Sequence, residues 1–192
     1  MNSLMVAKII RVATIAPLMA FVSLLLLFIF EPAVYGGWFQ FSFALLFLVV
    51  LPVVAYPLQP IVPGFRDKGR EGQRNFAILM GVLGYVFGIL FAYVTNAPEG
   101  ITMIYWIYFI SGIGIVVFNK VLRIRASGHA CGVVGPISFL IYFLGPIAFI
   151  GLLLIALVYW ASLKMKRHTL AELIWGSAIS FIAVIGIILV FR

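Results

Sequence analysis

Residues 139–151 read FLIYFLGPIAFIG, and the Gly145-Pro146 pair inside that apolar stretch decides the fold. Proline has no amide hydrogen and pushes the residue before it out of the helical region, so a helix arriving at Leu144 must stop there. The apolar run from 127 to 166 is therefore expected to fold back as a hairpin, with helices over 128–144 and 146–166. Its two ends, around His129 and His168, then return to the same side.

Working outward, further apolar runs at 8–30, 38–59, 75–95, 101–119 and 169–190 are each long enough to cross about 30 Å of hydrocarbon. Together with the hairpin they predict an all-α, polytopic membrane helix bundle with about six to seven transmembrane helices and its functional loops on one face. The composition agrees. Of 192 residues, 65% are hydrophobic and 9% charged, far from the balance of a soluble globular domain. The run Val12–Phe30 exceeds a signal-peptide core and lacks a small-residue cleavage site, so it reads as a retained helix. The chain is expected to be one integral membrane domain, with an N-terminal hairpin over 1–59 and a helical core over 60–192. Gly81, Gly84 and Gly88, at spacings of three and four, put small residues on one helix face where a neighbour can approach closely.

Parity of crossing sorts the loops. The segments 1–11, 60–74, 120–130 and 161–168 fall on one face, and 31–37, 96–100 and 144–146 on the other. Every Lys and Arg except Arg192 lies on the first face, and the net charge is +8. Such a bias places that face in the cytoplasm of a cell membrane and favours anionic membrane lipids or phosphates as partners. Aromatic side chains are spread through the apolar runs rather than among the cations, so nucleic acid is not expected as a partner. The single cysteine, Cys131, excludes an intrachain disulfide. It also stands two positions from His129, which does not let the two face each other on a helix. No apolar run carries an interior charge, which argues against an ion channel or transporter.

The only two histidines, His129 in RIRASGHACG (123–132) and His168 in KMKRHTLAEL (164–173), share the cationic face. Glu172 follows His168 by four residues, so a helix starting there lets the carboxylate hold one ring nitrogen and leave the other free as a nucleophile or base. His129 can then act as a general acid. Ser127 and Gly128, at a helix start, offer free amides to an anion. Arg123, Arg125, Lys164 and Arg167 flank the histidines, and FRDKGREGQRNF (65–76) adds Arg66, Lys68, Arg70 and Arg74. Lys8, Arg11 and Lys166 read as topological anchors. Two histidines among cations suit phosphoryl transfer, where positioning and charge neutralisation dominate.

These residues resemble the type-2 phosphatidic acid phosphatase superfamily, which includes undecaprenyl pyrophosphate and phosphatidylglycerophosphate phosphatases and the vanadium haloperoxidases. ASGH (126–129) is similar to that family's Pro-Ser-Gly-His signature, and ASLKMKRHTLAE (161–172) to its Ser-Arg-x5-His-x3-Asp signature. DKGREGQRNF (67–76) stands where a Lys-x6-Arg-Pro signature is expected, with Lys68 and Arg74 one residue too close and no proline. The resemblance spans roughly 60–190 and implies a membrane phosphatase that needs neither metal nor cofactor. In that reading His168 attacks phosphorus, His129 protonates the leaving oxygen and Glu172 orients His168. Lys68, Arg70, Arg74, Ser127, Gly128, Arg125 and Lys164 would bind the phosphate of a lipid or prenyl substrate. Two departures stand out: Ser162 occupies the position of the family's arginine, and Glu172 that of its aspartate, as in a short prokaryotic branch. The alternative is a relative without catalysis that binds anionic lipid or carries it across the membrane. Most relatives act on the outer or lumenal face, against the cation bias.

Overall fold

The computed structural model describes residues 2–192, so only Met1 of the predicted N-terminal hairpin lies outside the described residues. Every regular element among them is helical. The α-helices are α1 (Ser3–Ala13), α2 (Ala16–Phe30), α3 (Trp38–Leu45), α4 (Leu51–Leu58), α5 (Gly69–Val94), α6 (Glu99–Val116), α7 (Gly128–Leu144), α8 (Gly151–Lys164) and α9 (Leu170–Val190). Five helical runs are long and apolar enough to cross a membrane, and six if the bent pair α1–α2 counts as one. The protein is an integral membrane helix bundle.

One of those runs, Gly128–Lys164, spans 37 residues and is the predicted hairpin. Gly145 takes φ +70°, a conformation that costs glycine nothing, and a 3-10 segment Gly145–Ile150 completes the reversal. Ile137 on α7 then lies against Gly151 at the start of α8, and Val133, Ile137 and Val158 share a core cluster with Met19 of α2. The reversal thus takes six residues rather than two, and α8 begins later than the sequence suggests. Counting its two arms separately brings the crossings to the upper end of the expected range.

The expected helix over 8–30 is corrected. It breaks at Thr14-Ile15 into α1 and α2, which meet at 60°. Pro17 is the cause. Inside a continuous helix it would lose a hydrogen bond and press on the carbonyl of Ala13, whereas in the first turn of a new helix its missing amide is no loss. The run 38–59 is likewise not one regular helix. A π-turn at Leu46–Val50 joins α3 to α4 just ahead of Pro52, whose ring and missing amide disturb the preceding turn. Helix α5 starts at Gly69 rather than 75, which draws Arg70 and Arg74 onto its first turns.

At the centre, α7 packs on α9, α2 and α8, and α6 packs on both α9 and α5. The glycine face of α5 serves two neighbours. A Cβ on Gly84 would collide with the Phe47 carbonyl, and one on Gly88 with the Tyr105 ring. Tyr105 is fully buried and cannot yield. Gly88→Ala should therefore destabilise the bundle by about 1–3 kcal/mol, measured as unfolding in mixed micelles. Gly186→Ala on α9, where nothing lies within 4 Å of an added Cβ, should leave stability unchanged or slightly raised.

Candidate active site

The two histidine segments meet because α7 and α9 start side by side. The Ser127 amide donates to the Glu172 carbonyl at 2.8 Å. One turn further along α9, Gly176 lies so close to the Ser127 backbone that any Cβ there would strike its carbonyl oxygen. Each helix start is capped by its own hydroxyl. Ser127 Oγ accepts from the Ala130 amide at 3.2 Å, and Thr169 Oγ1 from the Glu172 amide at 3.3 Å. The loop ahead of α7 is held by Asn119, which donates to the Ala126 carbonyl at 3.1 Å and accepts from the Ala126 amide at 3.2 Å. Neither Thr169 nor Asn119 is among the candidates of the sequence analysis, although a threonine just before an apolar helix with a glutamate three residues on is a capping signal.

His168 stands where the sequence placed it. Its Nδ1–H donates to Glu172 Oε2 at 2.8 Å, the carboxylate being an acceptor only. Nε2 is left with a free lone pair. The Glu172 side chain is 11% exposed and its other oxygen, Oε1, lies 3.4 Å from Arg125 Nη1. Arg125 is 78% exposed, so it reaches the carboxylate from the solvent side. Glu172 thus orients one ring and balances one cation.

His129 has a partner that the sequence did not suggest. Its Nε2 lies 3.1 Å from Oγ1 of the buried Thr14, at the break between α1 and α2. The Thr14 hydroxyl proton is already donated to the Ile10 carbonyl at 2.7 Å. Oγ1 must therefore accept, and Nε2 of His129 carries the hydrogen. That leaves Nδ1 as the nitrogen open to proton exchange. His168 and Arg11 both stand within electrostatic reach of the His129 ring.

Arg11 enters the same cluster, against the expectation of a purely topological anchor. Its Nη1–H donates to Oγ of the fully buried Ser162 at 2.7 Å. Neither Lys164 nor Arg125 makes that contact: Lys164 is exposed at the end of α8, and Arg125 is on Glu172. The hydroxyl and amide of Ser127 are engaged by Ala130 and Glu172, so of that pair Gly128 is the one facing open space. Lys68, Arg70 and Arg74 are exposed at the start of α5, whose main neighbours are α6 and α4. Among the described residues they form no hydrogen bond or ion pair with the histidine cluster.

The two rings are expected in opposite neutral tautomers, His168 with hydrogen on Nδ1 and His129 on Nε2. Side-chain nitrogen shifts of ¹⁵N-histidine-labelled protein check this, and Thr14→Val should release the constraint at His129 while leaving His168 unchanged. A scan against protein-family models finds no match for this chain, and searches of curated proteins and of solved structures find none either.

Proposed function

We propose that this protein is a metal-independent phosphohydrolase acting on the phosphate or diphosphate of a membrane lipid, of glycerolipid or prenyl type. The observation that carries the reading is the His168–Glu172 pair at 2.8 Å, which leaves Nε2 free beside a second histidine, at a helix N-terminus, among cations. The motif resemblance of ASGH (126–129) and ASLKMKRHTLAE (161–172) supports it from the sequence side.

In this reading the lone pair on His168 Nε2 attacks phosphorus. A nitrogen–phosphorus bond forms as the bond to the lipid oxygen breaks, and His129, neutral in the free protein, takes up a proton at Nδ1 as the phosphate anion binds and gives it to that leaving oxygen. Water then reverses the sequence: His129 takes its proton, the oxygen attacks phosphorus, and His168 leaves as free imidazole with inorganic phosphate released. Glu172 holds the His168 ring and stabilises the positive charge that develops on it. The Gly128 amide and α7's N-terminal dipole, with Arg125 nearby, face the phosphoryl oxygens. Placement at the end of a membrane helix lets the lipid tail remain in the bilayer while its headgroup reacts.

A second reading, anionic-lipid binding or translocation without turnover, draws on the separation of Lys68, Arg70 and Arg74 from the histidines. A phosphate cradle lacking them is the less charged for it. Vanadate-sensitive phosphate release from glycerolipid or prenyl phosphates, lost by about a thousandfold or more in His168→Ala, is the outcome the hydrolase reading requires. Lipid-phosphate binding with no release in the unaltered protein is the outcome of the second.

We further infer that the cation-rich face is cytoplasmic, from the bias of Lys and Arg. The native Cys131 is buried, so a single cysteine at Arg66→Cys is a clean reporter. An impermeant thiol reagent should label it in opened but not in intact cells.

A further inference from the structure

Arg11 is placed where a topological anchor has no need to be. Ala7, Ile10, Arg11 and Thr14 recur at helical spacing along one side of α1. Ala7 is fully buried and Thr14 nearly so, and Ile10 joins the cluster formed by α2, α7 and α8. Arg11 is half-buried in this row, tied to Ser162 Oγ at 2.7 Å. The Arg167 amide donates to the carbonyl of the same Ser162 at 3.1 Å, so the exposed Arg167 leaves the chain beside the residue that holds Arg11 and directly ahead of His168.

The cluster lacks a matching carboxylate. Glu172 is the one acid that joins it among the described residues, and its two oxygens are taken by His168 and Arg125. Asp67 pairs with Arg66, Glu71 lies in the first turn of α5, and Glu31 and Glu99 sit at the opposite ends of the helices. A guanidinium half-withdrawn from water, with a neutral hydroxyl as its side-chain partner, is unfavourable unless an anion joins it. Ser162 takes up one of Arg11's donors, and the rest of the planar fork is free for an oxyanion. Next to His129 in the chain, Gly128 faces open space at the N-terminus of α7, and its amide has no intrahelical partner.

We propose that Arg11, with Arg167, binds the phosphoryl oxygens of the substrate, so that the N-terminal helix α1 forms part of the active site. This rests on the phosphohydrolase reading and deepens it. The ligand is a tetrahedral oxyanion on a lipid headgroup. Helix α1 brings two functions from one face: the guanidinium for that anion and the Thr14 hydroxyl that fixes His129.

The test uses full-length protein in nanodiscs, comparing Arg11→Gln, Arg11→Lys and His168→Ala with Lys8→Gln, which removes a charge from the exposed side of the same helix. Phosphate release from a short-chain lipid phosphate is measured beside binding of orthovanadate, inorganic phosphate and that lipid phosphate. The expected result is a fall in kcat/KM of about a hundredfold or more in Arg11→Gln, partial recovery in Arg11→Lys, and Lys8→Gln within about twofold of the unaltered protein. Full activity in Arg11→Gln overturns the proposal and leaves the hydrolase reading standing. If the unaltered protein releases no phosphate, the hydrolase reading fails, and binding decides: orthovanadate and lipid phosphate weakened about tenfold in Arg11→Gln support the anion site, and unchanged binding overturns it. Inorganic phosphate bound as tightly as the lipid phosphate overturns the assignment to a headgroup. Should Arg11→Gln fail to fold, Arg11→Lys keeps the charge but not the fork, and its full activity and binding overturn the proposal.

Discussion

The hydrogen bond from the Ser127 amide to the Glu172 carbonyl, made possible by the missing side chain at Gly176, is the constraint on which the site depends. It fixes the start of α7 against the first turn of α9, and those turns bring the histidine cluster together: His129 on one, and Glu172, with His168 just ahead of the helix, on the other. The bond joins backbone to backbone, so its length does not depend on any rotamer. The Asn119 clamp on Ala126 then prevents the preceding loop from pulling Ser127 away. Rigid backbone on both sides is what lets two imidazoles keep their relative placement at the edge of a bilayer.

Burial gives that arrangement its chemical character. Glu172 is nearly withdrawn from water and would be costly there as a bare carboxylate. It is held charged by a histidine hydrogen on one oxygen and a guanidinium on the other. His129 is tied to a neutral hydroxyl instead. The two rings are thus unlike although their residue type is the same, and the difference lies in the partner each was given.

What the sequence made legible was whatever depends on neighbours along the chain. The apolar runs, the reversal at Gly145-Pro146 and the four-residue spacing of His168 and Glu172 are local, and the structure keeps them. Boundaries set by proline were less visible: Pro17 splits a run that hydropathy alone treats as continuous, and Pro52 is accommodated by a π-turn rather than a stop. The partners of the histidine cluster were hidden for a different reason. Thr14 lies 115 residues from His129, and Arg11 lies 151 from Ser162. Neither belongs to a motif, and no spacing rule links them. The cations at 68, 70 and 74 show the converse, since sharing a face by parity did not bring them into contact with the histidines.

The 60° angle between α1 and α2 has a consequence for the order in which the protein can be assembled. Helix α1 leaves the ribosome well before the surface of α8 on which it docks, and Ser162 within it. Through most of synthesis α1 has no seat, and its apolar side must wait against the headgroup layer. The cluster around His129 is therefore closed only after α8 and α9 have entered the bilayer, so a chain stalled short of them carries one histidine without its neighbours.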